Sequence, residues 1–179
     1  MKGMLDGGPP WDKDGFPLLP EFGTLSTKTE YVLGFGFGER KGRPAVLLVQ
    51  KSSPKWQAGK YNGVGGKIEV GERDVEAMVR EFGEETGILT AEDDWTERLT
   101  LHGSDWKVVI FKMDSRYLHL AKQITPKDRP IVCDIEALPD NVIPNLRWII
   151  RFLADPEQIK AHVYYPSLIE GVASKTTER

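Results

Sequence analysis

Cysteine occurs once in this chain of 179 residues, at Cys133, so no intramolecular disulfide can form and a cysteine-rich metal site is excluded. That scarcity points to a reducing compartment, and the expected location is the cytoplasm. Histidine occurs three times, at His102, His119 and His162, with no metal-ligand spacing between them. Each reads as a structural or surface residue. No apolar run reaches the ~18 residues that a membrane span needs. Met1 to Gly15 has no apolar core of signal-peptide type. A basic excess is also missing, since 24 Lys and Arg face 27 Asp and Glu, for a net charge of −3. A protein that tracks a nucleic-acid backbone wants a basic face, so no nucleic-acid polymer is expected as a partner.

What remains is ordinary in amount and uneven in placement. Apolar residues make up 40% and charged residues 28%, the balance of a globular chain large enough to build one core. Residues 66–88 hold seven acids (Glu69, Glu72, Asp74, Glu76, Glu81, Glu84, Glu85) against three bases (Lys67, Arg73, Arg80). The other 156 residues carry 21 bases and 20 acids, so one short segment contains the whole negative excess.

Residues 1–29 contain Pro9, Pro10, Pro17 and Pro20 with five glycines, which favours an extended arm. Trp11, Phe16 and Phe22 are too apolar for a free linker. The arm is expected to cover this domain's own surface or to join the interface of a homodimer. The domain itself is expected over 30–170, with a polar tail over 171–179. Tyr31–Phe37 and Ala45–Gln50 read as a hairpin closed by a loop of four to six residues across Gly38–Arg43. Ser52–Lys60 reads as a loop and Tyr61–Gly71 as a glycine-rich segment. Residues 73–86 have helical periodicity, and Gly87 stands where a helix usually stops. Glu97–Gly103, Trp106–Met113 and Arg129–Ile135 read as strands, the second apolar enough to be central. Pro144 and the run Leu146–Leu153 predict a helix with Trp148, Ile149 and Phe152 on its buried side. His162–Leu168 reads as a last short strand. Strands interleaved with two helices imply a layered α/β domain.

On the 73–86 helix, at ~100° per residue, Glu81, Glu84 and Glu85 share an arc of roughly 100°. Val75, Met78, Val79 and Phe82 form a separate apolar stripe, and small Ala77 lies under the acidic arc. Glutamates at these spacings repel one another. They also sit in the last two turns, where the macrodipole disfavours negative charge. Two readings follow. The face is solvated and neutralised by Arg73 and Arg80, or it holds a hard divalent cation, which prefers carboxylate oxygens. Asn62-Gly63-Val64-Gly65-Gly66-Lys67 exposes backbone without obstructing side chains, as a phosphate or metal cradle would require. A tight turn would need the same glycines.

Gly66, five residues, Glu72, seven residues, then Arg80-Glu81-Phe82-Gly83-Glu84-Glu85-Thr86-Gly87-Ile88 resembles the Nudix box throughout. The resemblance implies an α/β/α sandwich around a mixed β-sheet, with the box as loop–helix–loop. It implies hydrolysis of nucleoside diphosphates linked to another moiety, with Mg²⁺ or Mn²⁺. Carried over, Glu81, Glu84, Glu85 and the backbone carbonyl of Gly66 would be metal ligands, and Glu81 is also a candidate general base. Arg80 and Glu72 would pair to orient the carboxylates, and Lys67 would contact phosphate.

Outside the box, the marks of other family branches are absent. ADP-ribose hydrolases often carry a proline where this chain has His102 and Gly103. Dinucleoside polyphosphate hydrolases often carry a tyrosine where it has Ser104, Asp105 and Trp106. Gly59 to Lys67 is similar to the MutT-like branch that hydrolyses nucleoside triphosphates, including oxidised purine nucleotides. There an asparagine matching Asn62 contacts the base, although a turn role would equally suit Asn62. Pro144-Asn145-Leu146-Arg147-Trp148 resembles that branch's base-reading loop, but Asn145 and Leu146 replace two acids that read the purine edge. Trp148 could stack on a base or pack in the core. Asp128, Asp134 and Glu136 are candidates for an acid beyond the box, with Lys127 at the aligned position. The resemblance thus implies release of a nucleoside monophosphate and pyrophosphate from a triphosphate. The alternatives are a hydrolase of nucleoside-diphosphate sugars or ADP-ribose, and a module that senses nucleotides without cleaving them. An isoprenyl diphosphate isomerase would want a catalytic cysteine, and Cys133 falls in an expected strand.

Overall fold

The computed structural model describes residues 28–165 apart from 125, 127 and 158. Residues 1–27 of the expected arm, the expected tail, Lys127, and the last part of the expected final strand lie outside the described residues, while Thr29 already belongs to a strand.

Two long strands begin the domain, β1 (Thr29–Arg40) and β2 (Arg43–Lys51). Their turn is tighter than the expected four- to six-residue loop. Only Lys41 and Gly42 join them, both with positive φ (54° and 73°). That pairing matches the right-handed twist of the flanking strands, and glycine supplies one of the two left-handed positions without steric cost. After a short strand β3 (Tyr61–Asn62) come helix α1 (Asp74–Thr86) and strands β4 (Thr96–His102), β5 (Trp106–Asp114) and β6 (Asp128–Asp134). Helix α2 (Leu146–Ala154) and strand β7 (Ala161–Tyr164) complete the order. The sheet runs β3-β2-β1-β5-β4-β7, with β6 on the other edge of β2. β1 pairs with β5, and β4 with β7, in parallel, while the remaining pairs are antiparallel.

Strand alternation divides the core into two layers. Leu47 and Val49 of β2 and Val109, Phe111 and Met113 of β5 face α1, where they meet Ala77, Met78 and Phe82. Val46, Leu48 and Ile110 face the other way, against Leu146, Ile149, Ile150 and Leu153 of α2. The result is a mixed sheet between two helices, an α/β/α sandwich. The expected burial of Trp148 is overturned, because that side is 41% exposed. The buried face of α2 takes the i, i+3, i+4, i+7 set from Leu146 to Leu153 instead, with Phe152 packed at its margin. Among the described residues, no helix is long and apolar enough to cross a membrane.

β1 and β2 pair only near their turn, from Phe37–Val46 to Arg40–Arg43. Beyond it they part, and the segment 61–68 wedges between them. It bonds β2 through Tyr61 and Asn62 and β1 through Val64 and Gly66. This wedge brings the glycine-rich loop to the middle of the sheet.

Candidate functional site

The wedge depends on glycine at two points. A Cβ on Gly65 would run into the Val32 carbonyl, which is rigid backbone. A Cβ on Gly66 would run into the Glu81 carboxylate. The loop therefore presses directly against the helix that carries the acids. Gly66 holds its place by accepting a hydrogen bond from the Val32 N–H at 2.9 Å, which leaves one carbonyl lone pair for another partner.

α1 is built to present its carboxylates. Glu76 accepts from the Arg73 N–H at 2.8 Å, which closes the first turn. Gly87 stops the helix at φ 71°, and its N–H returns to the Gly83 carbonyl at 2.9 Å. No basic residue stands in the last turn of α1, so compensation for Glu81, Glu84 and Glu85 comes from elsewhere.

The structure separates the three glutamates that the sequence groups on one arc. Glu84 is exposed, 3.7 Å from Arg80. Glu81 is mostly covered and accepts from Arg80 Nη1 at 2.8 Å. Glu85 is buried and accepts from Lys51 Nζ at 2.6 Å. Among the described residues, no three His, Cys, Asp or Glu side chains stand together as a ready metal cluster, and Glu81 and Glu85 are each paired with a cation. The donor chemistry nevertheless suits a hard cation. Glu85 Oε2 is buried with no hydrogen-bond partner among the described residues. The Gly66 backbone lies against the Glu81 carboxylate, and both can offer oxygen to such a cation.

Arg80 and Glu72 come together as a two-point pair, Nε to Oε1 at 2.8 Å and Nη2 to Oε2 at 3.0 Å. The hydrogen bond from Arg80 holds the Glu72 carboxyl below its usual range. Arg80 Nη2 also donates to the Lys67 carbonyl at 3.2 Å. The Lys67 side chain is exposed and is not part of the cleft described below.

Lys51 was not singled out by the sequence. It extends the Leu47–Val49 alternation of β2 onto the α1 face, which was the available signal. Its ammonium lies between Glu85 and Asp128, at 2.6 and 3.5 Å. Asp128 is its direct partner across β2–β6. Burial pushes the Glu85 carboxyl up to about 7, Lys51 pulling against that and the charges of Asp128 and Glu81 adding to it. Of the three acids considered beyond the box, Asp128 alone reaches this centre. Asp134 lies at the far end of β6, roughly 20 Å along the strand, paired with Arg43. Glu136 pairs with Arg151 on the surface.

Beside the carboxylates opens a cleft of about 1020 Å³. Its wall includes Lys51, Asn62, Gly65, Gly66, Trp106 and Asn145. Asn145 caps the start of α2 without a side-chain hydrogen bond to the helix. Asn62 has both ends of its amide engaged, donating to Gln57 Oε1 at 3.1 Å and accepting from the Gly63 N–H at 2.8 Å. Trp148 is not part of this wall. The histidines lie elsewhere. His102 and His162 share a 3.1 Å hydrogen bond across β4–β7, and His119 bonds the Arg116 carbonyl.

The NUDIX domain family model matches residues 30–149, two thirds of the chain, including the loop, α1 and the cleft. The chain belongs to the NUDIX family. Hydrolysis of nucleoside diphosphates linked to another moiety is the general chemistry of this family. Solved structures with the same fold include the following three. The mutator MutT protein from Bacillus halodurans has a TM-score of 0.57 and 19% identity over 76% of this chain and 90% of its own. The NUDIX domain of Shewanella oneidensis NrtR, solved with ADP ribose, has a TM-score of 0.57 and 17% identity over 69% and 86%. A MutT/nudix family protein from Enterococcus faecalis has a TM-score of 0.53 and 16% identity over 75% of this chain. This chain spans 62% of the length of the Enterococcus protein. Comparison with curated proteins gave no match.

Proposed function

We propose that this NUDIX protein hydrolyses nucleoside triphosphates to the monophosphate and pyrophosphate, with Mg²⁺ or Mn²⁺ held by Glu81, Glu84, Glu85 and the Gly66 carbonyl. The observation that carries this reading is the continuity of the carboxylate centre with the cleft. Lys51 and Gly66 belong to both, so a phosphate chain at the centre extends naturally into a volume suited to a nucleoside. A bound divalent cation would neutralise phosphate oxygens and favour attack by water at phosphorus. The protein's own contribution is position and charge. Arg80 bonds both Glu72 and Glu81, and in this reading that pair orients Glu81 to accept the proton of the attacking water. Lys51 brings a positive charge to the phosphate end of the cleft. Asn145, whose side chain makes no capping bond to α2, and Asn62 are the candidates for contact with the base. Lys67, exposed on the same loop but outside the cleft wall, is kept as a candidate contact to phosphate.

The test is a substrate panel with and without Mg²⁺. It contains the common and oxidised nucleoside triphosphates, a nucleoside-diphosphate sugar, ADP-ribose and a diadenosine polyphosphate. Pyrophosphate released from a triphosphate is the expected result. Cleavage of ADP-ribose or a sugar nucleotide alone would move the assignment to another diphosphate-linked compound. Tight binding without product would make the protein a sensor.

A further inference from the structure

We propose that Lys51 is the resident counter-cation of the carboxylate centre, and that a divalent cation displaces it from Glu85 into the cleft. The inference rests on the metal-site reading above.

Lys51 ends β2 on the face covered by α1 and is itself buried, with 9% of its surface exposed. A buried ammonium is costly to keep without partners, and this one has two carboxylates, Glu85 and Asp128. Glu85 is thus only half satisfied. Its Oε1 binds Lys51, while its Oε2 is buried with no partner among the described residues. A divalent cation taken up at Glu85 would share a poorly hydrated space with the ammonium, and like charges there repel strongly. The lysine stem is flexible and the ammonium is a compact point charge, so it can move without disturbing the strand. Two features determine where it goes. Lys51 belongs to the cleft wall, and Asp128 stands directly opposite it in the β2–β6 register. The displaced ammonium therefore stays near Asp128 and turns toward the cleft, where an anionic substrate meets it. One side chain neutralises Glu85 in the metal-free protein and presents positive charge to substrate in the loaded protein.

Competitive acetylation of lysines in the full chain, read by mass spectrometry without nucleotide, tests this. Lys51 should be protected without metal and labelled several-fold faster with saturating Mg²⁺. Exposed Lys55 serves as the unchanged reference. In parallel, Lys51→Met should bind Mn²⁺ several-fold more tightly than wild type, because the competing charge is gone. Protection of Lys51 that persists at saturating Mg²⁺ would overturn the proposal, as would unchanged or weaker Mn²⁺ binding by a folded Lys51→Met protein. If that variant does not fold, the wild-type labelling decides alone. A wild type that cleaves nucleotides with Mg²⁺ while Lys51 stays protected overturns this inference and leaves the function intact. No Mg²⁺ binding at all overturns both.

Discussion

Arg80 grips both carboxylate oxygens of Glu72, at 2.8 and 3.0 Å, while a third contact from the same guanidinium holds Glu81. One side chain therefore ties the end of the glycine loop to the acidic face of α1. Its planar fork suits two-point binding of a carboxylate, which a lysine would not reproduce.

Glu72→Gln should lower turnover by about 10- to 100-fold, the usual effect of losing a partner that orients a functional carboxylate. The same change alters the acid limb of stability. The Glu72 pKa is lowered in the fold, so its contribution is present above the unfolded value of 4.5 and is lost as pH falls through the folded value. Urea denaturation at neutral and acidic pH should show a smaller acid-dependent loss in the variant than in wild type. Equal losses would mean that the pair contributes nothing to folding.

Gly65→Ala and Gly66→Ala should separate folding from function. At Gly65 the new methyl meets the Val32 backbone, which cannot move cheaply, and overpacking of this kind costs about 1–3 kcal/mol. At Gly66 it meets the flexible end of Glu81, which can swing away. Thermal unfolding should show a clear drop in Tm for Gly65→Ala and little for Gly66→Ala. Activity should fall in Gly66→Ala although the protein stays folded. A fully active Gly66→Ala would remove Glu81 from the proposed machinery.

Glu84→Gln gives a cleaner kinetic test than any change at Glu85. Glu84 is 62% exposed, so its substitution should change stability by no more than about 0.5 kcal/mol. Turnover should nonetheless fall by orders of magnitude, with KM less affected, if Glu84 holds the metal. Wild-type kcat in this variant would refute that role.

The sequence revealed local features well and non-local ones poorly. The α1 stripe, its stop at Gly87 and the box spacing all lie within 23 consecutive residues, where periodicity and capping act directly. The hairpin turn is shorter than its sequence suggests because Lys41 adopts positive φ, a conformation that its residue type does not advertise. Trp148 is exposed because it lies opposite the Leu146, Ile149, Ile150 and Leu153 stripe of α2, a local periodicity that the sequence itself carries. The Lys51–Asp128 contact depends on pairing between β2 and β6, 77 residues apart, which no local pattern encodes. That same pairing distinguishes Asp128 from Asp134 and Glu136.

Glu85 should make both stability and metal binding depend on pH. Burial raises its folded pKa from the ordinary 4.5 to about 7, so the folded protein holds a proton there that the unfolded chain releases. The resulting contribution to stability is complete below about pH 4.5 and is lost as pH rises through about 7. In a chelator, wild type should lose stability across that window relative to Glu85→Gln, whose side chain does not titrate. A divalent cation needs the ionised carboxylate, so its binding should release a proton and tighten as pH rises through the same range. Calorimetric titration in two buffers of different ionisation enthalpy measures that proton. Above about 7 the ionised carboxylate pairs with Lys51, so the proton release belongs to the range below it. Its absence there would mean that burial does not raise Glu85, with the stability difference from Glu85→Gln vanishing as well.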